Sequence, residues 1–282
     1  MNRPLQVEEG LHAALQRPVP RVEQGTIIAV AGTLLDVPRR EVLLVTDDRE
    51  PDLLATGRKW RAFGGYSLIE RLLATQPEDL YTVLFHPVEH CTIRMEKVPA
   101  RGDLTAVLEA FKRARFGWAV VESATTVGLV TLADVLALYA DGSIDTHLRL
   151  RDVASSPVFA LPGGTELRDA LLGMMKRRVR RVRVEGTDGF VSDREVLSYV
   201  FSPPRLYQVK ESPESMFEPA LEEVGRVKPA DVDGGTRVKD AAAAIGPETG
   251  GFLTIDGGEM VVTPWDIVMK PWALGKLSVS RR

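Results

Sequence analysis

The chain has 282 residues and a single cysteine, Cys91. One cysteine excludes an intramolecular disulfide framework and suits a reducing compartment. No run approaches the roughly 20 apolar residues that a membrane-spanning helix needs. The opening residues reach acidic Glu8 and Glu9 rather than an apolar stretch, so neither a signal peptide nor a membrane contact is expected, and the reading is of a cytoplasmic protein. A formal net charge of −3 gives no overall bias toward nucleic acid or an anionic membrane. Asn2 is the only asparagine, whereas charged residues make up 27% of the chain, a composition expected of a thermophile. Catalytic signatures are missing as well: there is no P-loop, G-x-G-x-x-G, G-x-S-x-G or H-E-x-x-H. No nucleophile, acid–base set or metal cage is visible, so an enzyme is not expected.

What the chain does have is internal repetition, which decides architecture before any local reading does. The third unit is the clearest. Pro157-Val158-Phe159-Ala160 is predicted as a strand, Gly163-Gly164 as a turn and Thr165 as a helix N-cap. Leu167, Ala170, Leu171, Met174 and Met175 then fall at helical spacing. Val182 and Val184 alternate with Arg181 and Arg183, the pattern of a half-buried strand whose arginine face is solvated. Gly186-Thr187-Asp188-Gly189 reads as a hairpin turn, Phe190-Val191 as a strand, and Ser192 as the start of a second helix. The unit is strand–helix–strand–strand–helix.

The fourth unit overlays it, Gly234-Gly235-Thr236 matching Gly163-Gly164-Thr165. Thr165 to Ser192 and Thr236 to Thr263 both span 27 positions, and Asp103 to Thr131 in unit two spans 28. In unit one, Thr26 to Ser67 spans 41, which predicts an insertion placed at 47–59. Units this small bury their sheet faces by pairing. Two modules are expected, 1–145 and 146–282, with repeats at about 15–76, 88–142, 150–202 and 222–275. The proline-rich segment 202–218 reads as a stiffened linker.

Every unit closes on a hydroxyl residue followed three positions later by a carboxylate: Ser67 and Glu70, Thr131 and Asp134, Ser192 and Glu195, Thr263 and Asp266. This spacing is that of a capping box, in which hydroxyl and carboxylate satisfy orphan amides at a helix start. The same helix start also offers free amides and positive dipole to an anion.

Strand–helix–strand–strand–helix in tandem, with Gly128-Leu129-Val130-Thr131-Leu132-Ala133-Asp134 opening a last helix, resembles the CBS domain. The fold class is accordingly α/β (α+β), with four CBS repeats paired into two Bateman modules. The resemblance spans roughly residues 15–275, and four repeats in one chain are similar to the gamma subunit of AMP-activated protein kinase and to archaeal CBS proteins. It implies regulatory binding of an adenosine-containing ligand (AMP, ADP, ATP, S-adenosylmethionine or NAD) in clefts between paired repeats. It carries ribose binding over to Asp134 and Asp266, and ribose or phosphate contact to Thr131 and Thr263. Ser192 occupies the matching place in unit three, although the longer Glu195 departs from the pattern there, as Glu70 does in unit one.

The densest charge run is Lys176-Arg177-Arg178-Val179-Arg180-Arg181-Val182-Arg183. It reads either as a basic helix end followed by a solvated strand face or as a phosphate clamp built from planar guanidinium forks. A basic pair opens the second strand of the kinase gamma subunit, so the resemblance selects Arg180 and Arg181 for phosphate. Arg226 and Lys228 add charge to the same cleft. Gly117-Trp118 and Gly250-Gly251 hold the matching places in units two and four and are not basic. A single run in an acidic chain argues against nucleic acid.

His86, His90 and Cys91 are too few for a metal cage, and Pro87 opposes the helix that would align the histidines. The tryptophans 60, 118, 265 and 272 read as core or interface, with Trp265 also a candidate for a base pocket. The leading expectation is a nucleotide sensor acting on an unidentified effector protein, needing no cofactor beyond its regulatory ligand. The alternatives are a purely structural assembly module with empty clefts and an S-adenosylmethionine sensor. Pairing of two copies into a homodimer is left open.

Overall fold

The computed structural model describes residues 18–35, 42–46, 60–123, 126–155, 157–245 and 251–279. The expected insertion at 47–59, Gly250 and the isolated His12 lie outside them. Unit one comprises β1 (Arg21–Glu23), α1 (Ile28–Leu35), β2 (Val42–Thr46), β3 (Arg61–Gly64) and α2 (Gly65–Leu73), followed by an added strand β4 (Thr92–Arg94). Unit two comprises β5 (Lys97–Pro99), α3 (Leu104–Ala114), β6 (Trp118–Glu122), β7 (Val127–Thr131) and α4 (Leu132–Ala140). A short strand β8 (Ile144–Asp145) leads into unit three: β9 (Ala160–Leu161), α5 (Leu167–Arg177), β10 (Arg181–Val184), β11 (Phe190–Ser192) and α6 (Asp193–Val200). After the linker helix α7 (Pro203–Glu211) comes unit four: β12 (Ala230–Val232), α8 (Val238–Ala244), β13 (Leu253–Ile255), β14 (Met260–Val262) and α9 (Pro264–Ala273). A last strand, β15 (Ser278–Val279), returns antiparallel to β8.

All four units share one topology. The first strand runs parallel to the second, as a helical crossover requires, and the third returns antiparallel to the second. Helix α5 forms because Leu167, Ala170, Leu171 and Met174 make one buried face. Helix α3 does so with Leu104, Val107, Leu108 and Phe111, and Asp103 caps it by accepting from Ala106 N at 2.9 Å.

Four sequence expectations are corrected. The caps of α5 and α8 are Glu166 and Arg237, one residue beyond Thr165 and Thr236, whose amides close the preceding turns. The first strand of unit three is Ala160–Leu161, later than expected. The linker 202–218 is largely helical, since Pro203 and Pro204 occupy the first helical turn, where proline needs no amide partner. In unit one the closing helix starts at Gly65, so Gly64 is the N-cap and Ser67 holds the third helical position where Asp134 and Asp266 stand. Glu70 is therefore outside the closure.

The sheets explain where the units meet. In β6, Ala119 and Val121 face the helices, while Trp118 and Val120 face a second apolar cluster with Val42, Leu44, Trp60 and Ala62 of unit one. Burial on both faces makes such a strand read as a continuous apolar run. Units three and four meet differently. Val182 and Val184 face the helices, and the opposite face carries Arg181 over the Phe252 ring at 4.6 Å and Arg183 donating to Gly258 O at 3.3 Å. The arginine face of β10 is thus turned to unit four instead of to solvent.

The helices merge across the chain. One core unites units one and three, and another unites units two and four. A β-carbon on Gly32 would lie 2.3 Å from the Phe201 ring, and one on Gly65 would lie 2.6 Å from Leu197. The four units therefore close a ring, alternating sheet contacts (one with two, three with four) and helix contacts (one with three, two with four).

Candidate functional site

Each closing helix starts where the third strand of its unit ends. In unit two, Asp134 Oδ2 accepts from Thr131 N at 2.7 Å and from Thr131 Oγ1 at 3.1 Å. In unit four, Asp266 Oδ2 accepts from Thr263 N at 2.9 Å and Thr263 Oγ1 at 2.6 Å. In unit three, Glu195 Oε2 accepts from Ser192 N at 2.9 Å and from Ser192 Oγ. The capping geometry is therefore present in these three units, and the extra methylene of Glu195 is accommodated in it. In unit one, Gly64 N reaches Ser67 Oγ at 3.3 Å and no carboxylate takes part.

The two aspartates sit in different surroundings. Asp134 is half-buried. Asp266 is only 4% exposed, and its Oδ1 accepts from Ser155 Oγ at 2.7 Å and is ion-paired with Lys270 Nζ at 3.1 Å. Lys270 also donates to Val153 O at 2.6 Å and Ala154 O at 2.9 Å. Sequence reasoning missed both partners. Lys270 stands four residues after Asp266, a helical ion-pair spacing open to inspection. Ser155 lies 111 positions away, and no local pattern announces it.

The basic run is gathered at the junction of units one, three and four. Arg180 donates through Nε at 2.8 Å and Nη2 at 2.6 Å to Asp193 Oδ2, at the first residue of α6. The acidic neighbour inside Ser192-Asp193 was the available signal for that pair. Arg181 opens β10 opposite Ser192, where Trp118 stands opposite Thr131. The matching residue in unit four is Phe252, not Gly251, because Leu253 pairs with Val262. Phe190 and Phe252 meet edge-to-face at 5.2 Å. Arg226 is exposed and lays its stem along Gly189, 3.0 Å from a β-carbon placed there. Lys228 pairs with Asp188 at 2.9 Å, both exposed. Tyr66, on α2 of unit one, feels the same cluster: burial and the Glu70 carboxylate raise its phenol, against the pull of Arg178 and Arg180. The junction therefore combines guanidinium groups, a phenol and two helix starts.

Other candidates resolve into packing. Trp60 and Trp118 are buried between the sheets of units one and two. Trp265 lies half-buried against the core of units two and four, and Lys112 stands 5.5 Å over the Trp272 ring. His86 and His90 lie 5.5 Å apart, ring to ring, and burial pushes the Cys91 thiol up to about 11. Among the described residues no group of three or more His, Cys, Asp or Glu side chains is placed to hold a metal, and no helix is long and apolar enough to cross a membrane. A surface cavity of about 390 Å³ lies beside the linker helix, lined by Tyr199, Arg205, Gln208 and Glu218 among others.

No protein-family model matches the sequence. An uncharacterized 33.4 kDa protein in a ribosomal RNA operon of Thermofilum pendens is 31% identical over 123 residues, 42% of this chain, and the match spans only 40% of that relative's length. Among solved structures, protein MJ1225 from Methanocaldococcus jannaschii, proposed as an archaeal homologue of g-AMPK, superposes with a TM-score of 0.75 at 17% identity, covering 92% of this chain and 98% of that one. An uncharacterized conserved protein from Pyrococcus horikoshii gives a TM-score of 0.52 at 12% identity, covering 93% and 97%.

Proposed function

We propose that this chain, whose fold is that of four tandem CBS repeats, is a regulatory protein that binds adenine nucleotides in the clefts between sheet-paired repeats. The modules are residues 1–145 and 146–282, in keeping with the sheet contacts of units one with two and three with four. The observation that carries the reading is the recurring polar closure: the same hydroxyl–carboxylate pair stands at a helix start in units two, three and four. A carboxylate there can accept from both hydroxyls of a ribose, and the adjacent amides and helix dipole favour phosphate. Asp134 with Thr131 forms the more open of the two aspartate sites. Arg180, Arg181 and Arg226 supply phosphate contacts at the junction, where the bidentate grip of Arg180 on Asp193 is available for exchange against a phosphate. Nucleotides that favour different arrangements of the ring would pass a signal to an effector protein.

One observation favours the structural reading for part of the molecule: Asp266 is already satisfied by protein groups. The two readings separate in a simple experiment. Nucleotide released on denaturing the purified chain is identified by mass spectrometry, and the emptied protein is titrated with AMP, ADP, ATP and S-adenosylmethionine. Binding of an adenine nucleotide supports the proposal. Binding of S-adenosylmethionine alone turns the assignment to that ligand, and no binding at millimolar concentration overturns the sensor reading.

A further inference from the structure

The leading segments of units two, three and four cross to the closures of their sheet partners, which makes the residues at those crossings comparable. The residue two positions before the N-cap pairs with the crossing strand: Ala62 with Ile93 in unit one, Phe190 with Val227 in unit three, Val261 with Ser155 in unit four. Among these three described crossings, two present an aliphatic side chain and the one in unit four presents a hydroxyl. That hydroxyl is bonded to the carboxylate assigned to ribose.

An ionised carboxylate offers about four lone-pair positions. Four donors already address Asp266: Thr263 N and Oγ1 on Oδ2, Ser155 Oγ and Lys270 Nζ on Oδ1. Each ribose hydroxyl that donates to this carboxylate must displace one of them. Thr263 is fixed by the helix start, and Lys270 is held in addition by two backbone carbonyls. Ser155, a neutral donor on the crossing segment whose only other side-chain hydrogen bond among the described residues is one accepted from Lys270 Nζ at 3.2 Å, is the replaceable one.

We infer that Ser155 is a positioning and specificity residue of the unit-four site, standing in for a ribose hydroxyl so that a nucleoside binds Asp266 only by displacing it. This rests on the nucleotide reading given above. It lowers the affinity of unit four for a nucleoside. It also ties its occupancy to the crossing segment, which follows a helical turn (Leu150–Val153) whose Leu150 and Arg151 amides are anchored on Thr236 O and Gly234 O of unit four, and which leads on to β9 of unit three.

The test uses the full chain in an Asp134→Ala background, so that unit four reports. Ser155→Val supplies the residue type that the fold already carries at this place in unit three, and Ser155→Ala serves as a second variant. Calorimetric titration with AMP is expected to show binding to Asp134→Ala/Ser155→Val about tenfold tighter than to Asp134→Ala, from release of one charge-assisted hydrogen bond. Adding Asp266→Asn is expected to reverse the gain. Unchanged or weaker binding in both Ser155 variants, with the wild type still binding AMP, overturns this inference alone. Absence of AMP binding by the wild type and every variant overturns the nucleotide reading and this inference with it.

Discussion

Asp134 and Asp266 share a motif, a helix position and a hydroxyl partner, yet differ in exposure, Asp134 being half-buried and Asp266 buried. Similar contrasts run through the buried polar groups. The Tyr139 hydroxyl is buried with no hydrogen-bond partner among the described residues, and burial, then Asp145, raises its ionisation well above the usual range. A buried donor left unsatisfied carries its full desolvation cost. Tyr139→Phe is therefore expected to leave the melting temperature unchanged or raise it by a few degrees, checked by calorimetry. Cys91 is buried, and its thiol is pushed up to about 11. Since the fold favours the protonated form, its contribution to stability is complete below the unfolded-state value of about 8.5. It is lost as pH rises from there through about 11. Denaturant titrations across that window are expected to show a larger loss in the wild type than in Cys91→Ala, which keeps only the loss from other groups such as Tyr139. The closing motif itself was legible from Thr131-x-x-Asp134 and Thr263-x-x-Asp266. The Ser155 hydroxyl on Asp266 was not, because a contact across 111 positions leaves no trace in local spacing.

At the scale of elements, the periodicities of α3 and α5 and the strand pairs around the hairpins were readable, and boundaries were less so. The α3 cap was correctly read at Asp103, which makes an amide hydrogen bond, whereas Thr165 makes no cap bond because the chain turns once more before α5 begins. Asp103→Ala is expected to cost about 1 kcal/mol, and Thr165→Ala less than half of that, both measured by urea denaturation. The linker was misread for a physical reason. Pro203 and Pro204 look like breakers in sequence, but they stand in the first turn of α7, and what fixes that helix lies elsewhere in the chain. Arg205, 9% exposed, donates to Ser215 O at 2.6 Å and lies over the Tyr199 ring. Arg205→Met is expected to lower stability by about 2–3 kcal/mol by leaving buried carbonyls unmet. In unit one, Gly64 and Ser67 replace the hydroxyl and carboxylate, and a register offset of three residues hid this from spacing alone.

For the whole molecule, the sheet pairs alone would give two separable halves. The helix cores contradict that separation, since each draws on both halves. The chain is therefore expected to unfold in one cooperative transition, and Gly32→Leu, driven into the Phe201 ring, to destabilise the whole ring and not unit one alone. Resolved transitions in scanning calorimetry would count against this. Which helix faces meet across the ring was not legible, because amphipathic spacing marks a buried face without naming its partner. The hydroxyl–carboxylate closures of units two, three and four nonetheless lead to one central claim, that a nucleotide sits on the Asp134 carboxylate. Calorimetric titration of AMP into the wild type and Asp134→Ala tests it most directly. The account predicts a saturable site in the wild type that weakens at least about tenfold in the variant, as the loss of one or two charge-assisted hydrogen bonds requires. Equal affinity in the two proteins would contradict it.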